Sequence, residues 1–385
     1  MQCTLPPEPL GTTAVLLGLG GLPSGVGLTY TYILRMKAST LAIVLASVAV
    51  SGCVSAPAPH PRALESNELC AQQVQAGQLD RAEVYCDLGL EFSPFYADLW
   101  VNKGLIYLRR QRNDKAKECF IKAIRYNQET AQAYNNLGYI YLQEKSYGKA
   151  HDNFQRALKV NPDYTEARYN LGLAFVRMKK FKQARKEFDT IVAINPNLAD
   201  PHHYLGYMSL TEGKCEDAIP ELETATRLDP AYTDAWFNLG NAFNACGKFS
   251  EAKDAFTSCV GSDDNNIECK NNLALINRKL ALLDPALKDM KAVRAAEGTP
   301  QSLYELAKTY GDKGLRAEQK RTYKKCLELD NKYPLCHYGL FELYQDDQQL
   351  ADAGTACKNF LKFVVAEEYP LEVGRCEKFL NLKTN

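Results

Sequence analysis

Tyr134-Asn135-Asn136-Leu137-Gly138-Tyr139-Ile140-Tyr141 and, further on, Trp236-Phe237-Asn238-Leu239-Gly240 are two copies of one pattern. They lie in a register whose glycines recur at Gly104, Gly138, Gly172, Gly206 and Gly240, always 34 residues apart. Twelve residues after each glycine stands an alanine: Ala116, Ala150, Ala184, Ala218 and Ala252. Four further on comes a large apolar residue: Phe120, Phe154, Phe188, Leu222 and Phe256. Pro94, Pro162, Pro196 and Pro230 close four of the units. A constant period of this length marks a repeat architecture, in which each unit buries its apolar face only by stacking on its neighbours. The small residues let two helices approach closely, and a proline that cannot continue a helix sets the turn into the next unit.

This register resembles the tetratricopeptide repeat, a helix A–turn–helix B hairpin. The resemblance implies an all-α, right-handed α-solenoid of about nine tandem helix pairs. Weaker units extend the phase from about Ala63 to Tyr96, and from Ile267, Pro300 and Pro334, where Ala274, Ala307 and Phe341 take the glycine position. Degenerate end units are expected, since terminal repeats present one face to water. Residues 63–385 thus read as the repeat domain, with Tyr369–Leu382 as a C-terminal capping helix.

The region before the repeats has a different logic. From Met36 a lysine, Lys37, precedes the apolar run Leu41–Val50, which is too short to span a bilayer. The run ends in Val50-Ser51-Gly52-Cys53, which resembles the lipobox of bacterial lipoproteins. That resemblance implies a signal peptide over 36–52, acylation of Cys53 and anchorage at the periplasmic face of the outer membrane. A plain cleaved signal, or an uncleaved helix, with a chance cysteine is the alternative. Residues 1–35 fit neither and read as a misassigned upstream extension. Residues 53–62, with Ser55-Ala56-Pro57-Ala58-Pro59-His60-Pro61, read as the anchor and a stiff extended tether.

With 46 basic and 46 acidic residues the formal net charge is zero, which offers no field for nucleic acid. Thirteen cysteines call for an oxidising compartment or a metal, and no CxxC or zinc-finger spacing is present. Cys259 and Cys326 occupy the same late position of helix B, and Cys269 and Cys336 follow ten residues later. Both pairs read as disulfides clamping helix B to the next helix A. Cys70 and Cys86, at the glycine and aromatic positions of the first unit, form a third candidate pair, and Cys357 and Cys376 a looser fourth. Cys215 and Cys246 lie near neighbouring turns and are left open between a bridge and free thiols, with Cys119 unassigned. Reduced, inert interface residues are the alternative for all of them.

In the tetratricopeptide family helix A lines the concave face, and extended peptides commonly bind there. Two residues before the glycine stand Asn102, Asn136, Asn170, Tyr204, Asn238 and Asn272. Stacked amides, each donor and acceptor, form a ladder suited to an extended backbone; tying neighbouring helices together is the other reading. Tyr139, Tyr169, His203, Tyr207, Phe237, Asn241 and Asn244 lie beside it. Arg109, Arg177 and Lys279 are too dispersed to make a carboxylate clamp. No HExxH, GxSxG or phosphate-binding glycine loop occurs, so neither catalysis nor a cofactor nor a metal is expected.

Lipobox, short tether and tandem units together resemble the type IV pilus pilotins, which implies a scaffold that helps a secretin assemble in the outer membrane. The chain departs from that pattern in having more units and more cysteines. An adaptor for peptidoglycan synthases or hydrolases, or an accessory scaffold of outer-membrane protein insertion or polysaccharide export, is the alternative.

Overall fold

The computed structural model describes residues 58–381 and divides the chain into two units, residues 1–137 and 138–385. Among the described residues every regular element is a helix. In the first unit α1 (Pro61–Gln75) pairs with α2 (Leu79–Phe92), and α3 (Ala97–Arg109) with α4 (Asn113–Tyr126). Helix α5 (Ala131–Gln143) begins there and ends in the second unit. The second unit continues with α6 (Tyr147–Val160), α7 (Thr165–Arg177), α8 (Phe181–Ile194), α9 (Ala199–Thr211) and α10 (Cys215–Leu228). Then follow α11 (Thr233–Ala245), α12 (Phe249–Ser262), α13 (Ile267–Lys279) and α14 (Leu283–Glu297). The last are α15 (Pro300–Asp312), α16 (Arg316–Leu329), α17 (Pro334–Asp346), α18 (Leu350–Phe363) and the single closing helix α19 (Pro370–Asn381). Odd-numbered helices up to α17 are the A helices and even-numbered ones the B helices. The candidate leader and anchor, including Cys53, lie outside the described residues. Pro61 and Arg62, read from sequence as the end of the tether, belong to α1: Pro61 occupies its first turn, where a fixed φ suits the helix, and the His60 ring accepts from the Arg62 amide.

The repeat signature has one steric core. A Cβ added at Gly104, Gly138, Gly172 or Gly240 would lie 2.5–2.8 Å from the ring of Phe120, Phe154, Phe188 or Phe256. At Gly206 it would meet Leu222 at 2.5 Å. The side chain from helix B therefore occupies the volume that a Cβ on helix A would need. The alanines between them, from Ala116 to Ala252, are fully buried.

Junctions between pairs repeat with equal regularity. Asn127, Asn161, Asn195, Asp229, Asp263 and Asp330 each accept, through the side chain, the amide two residues on. These are Asx turns, which stop helix B without a glycine. One turn into the next helix A, a long polar or aromatic side chain donates back to the carbonyl six residues earlier. Trp100 reaches Pro94, Arg168 Pro162, His202 Pro196, Trp236 Pro230 and His337 Asn331, at 2.7–3.1 Å. At one junction the device changes: Gly298 in the left-handed region ends α14 and Thr299 caps α15 with Ser302, shortening that repeat by one residue.

All nine A–B turns of the described residues place one residue at positive φ. Glycine fills the slot at Gly77, Gly213, Gly247 and Gly314, but Gln111, Lys145, Lys179, Ala281 and Gln348 fill it elsewhere. The Leu280–Leu283 run contains such a turn: Leu280 packs on the Phe256 cluster while Leu282 is exposed.

Five cysteine pairs stand at disulfide distance. Their Cα separations are 5.4 Å for Cys70–Cys86, 5.7 Å for Cys215–Cys246 and 5.9 Å for Cys259–Cys269. For Cys326–Cys336 and Cys357–Cys376 they are 6.5 and 5.5 Å. The Cys259–Cys269 pair sits where other repeats bring two buried alanines together, as at Ala123/Ala133, Ala157/Ala167 and Ala225/Ala235. Two small residues already facing each other need only sulfur to be joined. Cys119 is buried and unpaired, and burial pushes its thiol up to about 11.

Two stability measurements follow. Ala281→Gly relieves a left-handed alanine and is expected to raise the unfolding free energy by about 0.5–1 kcal/mol in urea titrations, while Gly247→Ala lowers it by a similar amount. Cys259→Ala with Cys269→Ala recreates the neighbouring alanine contact. It should keep the helical spectrum yet lose roughly 2–3 kcal/mol, the contribution of a ten-residue loop closure; an unchanged melting curve would mean the pair is not oxidised.

Candidate functional site

Helix A positions the side chains expected to bind, and the second unit carries most of them. Two tyrosines stand out to solvent: Tyr139 on α5 is 38% exposed and Tyr207 on α9 is 36% exposed. Tyr169 on α7 lies between them in sequence and turns inward, with its ring 6.1 Å from Tyr204 and 5.9 Å from Phe188. Phe188 and Tyr204 stack at 5.4 Å. Phe237 on α11 meets Phe256 edge-on at 6.1 Å.

Three of the asparagines form lateral ties. In the first unit the Asn102 amide donates to Asn67 Oδ1 at 2.9 Å, bridging successive A helices. Asn136 donates to the Gln132 carbonyl of its own helix. In the second unit Asn272 donates to Asn241 at 3.2 Å and Asn238 to His203 Nε2 at 2.9 Å. Asn136 and Asn170 are only 8% and 6% exposed. Asn102, Asn238 and Asn272 therefore tie neighbouring A helices together, and the accessible chemistry lies on the tyrosines one helical step away. Two of the three dispersed cations are engaged as well: Arg109 with the Val74 carbonyl, and Lys279 with Asn244 at 2.8 Å.

His203 is the centre of a buried polar network. Its Nδ1 lies 2.9 Å from the Tyr232 hydroxyl, and Asn238 fills Nε2. With an amide donor on Nε2, the neutral ring carries its proton on Nδ1 and donates to Tyr232, whose own hydrogen is directed to Asp200. Burial pushes the His203 pKa below its ordinary value of 6.5, against the opposing fields of Asp234 and Asp200. Burial likewise pushes the Tyr232 hydroxyl far up, reinforced by Asp200. The neighbouring His202 is separate: it bridges Glu221 and the Pro196 carbonyl, as Arg168 bridges Glu187 and the Pro162 carbonyl one repeat earlier. Tyr232 was not among the sequence candidates because it sits in a junction, although Tyr96 and Tyr164 hold the same repeat position. Among the described residues no cluster of ligands suits a metal ion, and no helix is long and apolar enough to cross a membrane.

Comparison with known proteins bears on the repeats. Residues 91–200 match the family described as tetratricopeptide repeat protein 21 C-terminal ARM domain. Residues 206–247 match "TPR repeat", and 233–266 and 300–333 match "Tetratricopeptide repeat". An uncharacterised protein of Methanocaldococcus jannaschii is 33% identical over 60 residues, 15% of this chain and 70% of that protein. Among solved structures, PilW, described as a widely conserved type IV pilus biogenesis factor, aligns with a TM-score of 0.50 at 18% identity, covering 55% of this chain and 98% of that one. PilF of Pseudomonas aeruginosa gives 0.39 at 17% identity, over 65% and 97%. The chain belongs to the tetratricopeptide repeat proteins, whose fold is a scaffold for protein interactions.

The network makes a pH prediction. A histidine whose folded pKa is depressed supports the fold above its unfolded pKa and loses that support as pH falls through the folded value. Melting temperature should therefore fall below pH 6.5, and His203→Gln should flatten that acid limb relative to the parent. Parallel curves for the two proteins would assign the limb to other groups.

Proposed function

We propose that this protein is a lipid-anchored periplasmic scaffold that holds a partner protein on its A-helix face and assists assembly or outer-membrane localisation of a secretin. The observation that carries the binding role is the exposure of Tyr139 and Tyr207 on A helices of the second unit. Such a surface gives large contact area with little side-chain entropy to lose, and a fixed backbone keeps the ordering cost low. An extended segment laid across the A helices would meet tyrosine hydroxyls at alternate repeats, which suits protein partners over small molecules.

Anchoring at Cys53 and export rest on the lipobox. A residue carrying several acyl chains is retained stably at a membrane, where one chain is not. The secretin reading combines that anchor with a fold shared with PilW, which is itself a pilus biogenesis factor. Five cysteine pairs standing at disulfide distance accord with an oxidising compartment.

Deleting the gene and running unboiled envelope samples should abolish heat-stable secretin multimers while monomer is still made; normal multimers in the outer membrane would retire the secretin assignment. Tyr139→Ser with Tyr207→Ser should weaken partner capture at least tenfold without changing the melting temperature. Full capture by that variant would move the binding surface off the A helices.

A further inference from the structure

Four of the cysteine pairs, Cys70–Cys86, Cys259–Cys269, Cys326–Cys336 and Cys357–Cys376, are fully buried, with 0% of every member exposed. Cys215–Cys246 differs: both residues are half-buried at the edge of the core. Cys215 is the first residue of α10, and Cys246 caps the C-terminal end of α11. The same place is ionic at other junctions of the second unit. Arg316 opens α16 as Cys215 opens α10, and Asp347 caps α17 as Cys246 caps α11. Those two join at 2.8 Å with side chains 50% and 38% exposed. Likewise Lys313, the cap of α15, pairs with Asp284 near the start of α14. Exposed ion pairs of this kind contribute little to stability, so these junctions are held by the core beneath them.

We propose that Cys215–Cys246 is a thiol–disulfide exchange site, opened and closed by an external dithiol while the protein stays folded and the other four pairs stay shut. Exchange needs a thiolate to reach a disulfide sulfur, and only this pair has surface for an incoming sulfur to approach. The two helix ends give the reaction a direction. Cys215 lies at the positive end of α10, which favours its thiolate, and Cys246 at the negative end of α11, which does not. The better-stabilised thiolate leaves faster. The incoming thiolate therefore attacks Cys246 Sγ, the bond to Cys215 Sγ breaks, and Cys215 departs as thiolate. The second thiol of the reagent then attacks the reagent's own sulfur in the mixed disulfide and releases Cys246. The two protons of the dithiol end on the two cysteines; the reagent is oxidised to its disulfide and the bridge is reduced to thiols. The reverse sequence, with an oxidised dithiol, closes it again.

Opening the bridge makes this junction resemble its neighbours. Lys248, the residue before α12, still pairs with Glu216 of α10 at 3.0 Å across the same gap. Ala218, Leu222 and Leu239 keep their buried contacts below it. The inference does not depend on which partner the A helices hold.

The test exposes the folded full chain, purified without reductant, to dithiothreitol for increasing times, then blocks free thiols with iodoacetamide and maps them by mass spectrometry. Cys215 and Cys246 should be labelled roughly tenfold faster, or more, than any member of the other four pairs, with the helical spectrum unchanged. With glutathione, a monothiol, the trapped adduct should sit on Cys246 and leave Cys215 free. Labelling of all pairs at one rate, or loss of helix on the first reduction, would overturn the proposal. So would free thiols at both positions before any reductant is added, and adducts mainly on Cys215 would overturn the direction of attack. Cys215→Arg with Cys246→Asp, copying Arg316 and Asp347, should keep the helical spectrum; unfolding of that variant would show that the bridge carries the fold and cannot open in the folded protein.

Discussion

The structure depends on one contact: a large side chain from helix B filling the space left by a missing Cβ on helix A. At Gly104, Gly138, Gly172 and Gly240 that side chain is a phenylalanine with no more than 1% of its surface exposed. The two helices come close because one has no side chain there. Neither could shift without opening a void or a clash, and interiors tolerate neither well. Repetition of this contact every 34 residues sets the spacing of the hairpins, and the hairpins in turn set which side chains face outward from the A helices.

Where the contact is altered, another device takes its place. In the first repeat Cys70 and Cys86 hold the glycine and aromatic positions and are paired to each other. In the seventh, Ala274 and Met290 share the volume, both fully buried. In the ninth the sizes are reversed: Phe341 stands at the glycine position, Cys357 at the aromatic one, and Cys357 bridges onward to Cys376 of the closing helix. End repeats lack a stacking neighbour on one side, and covalent closure offsets part of the burial they forgo.

The fold was legible because the Gly, Ala and aromatic positions act by volume, and volume is written directly in residue type. Helix boundaries followed from the same phase, including the shift at Pro300. For Cys259–Cys269 and Cys326–Cys336 repeat position pointed to proximity, two residues ten apart across a junction, and their Cα atoms stand 5.9 and 6.5 Å apart. The candidate site was less legible. Asn102, Asn238 and Asn272 share a position with Asn136 and Asn170, but sequence cannot tell an amide presented to a ligand from one bonded to the next helix. That distinction depends on partners 31 to 35 residues away, such as Asn67, His203 and Asn241. The Asp200–Tyr232–His203–Asn238 network was hidden for the same reason: its members come from two helices and a junction. The Asx turns and the back-bonded Trp, Arg and His side chains form a second repeat signal, carried by hydrogen bonds and tolerant of residue type.

The central claim is that helix A and helix B share one volume, so a double-mutant cycle tests it most directly. Gly240→Phe alone and Phe256→Ala alone should each destabilise the domain in urea unfolding, by roughly 1–3 and 3–5 kcal/mol. Combined, they reproduce the reversed arrangement of the ninth repeat. The account predicts that the double variant is more stable than the sum of the single effects by about 1–3 kcal/mol, the coupling of residues in direct contact. Additive losses would contradict it, because they would mean that the two positions do not compete for the same space.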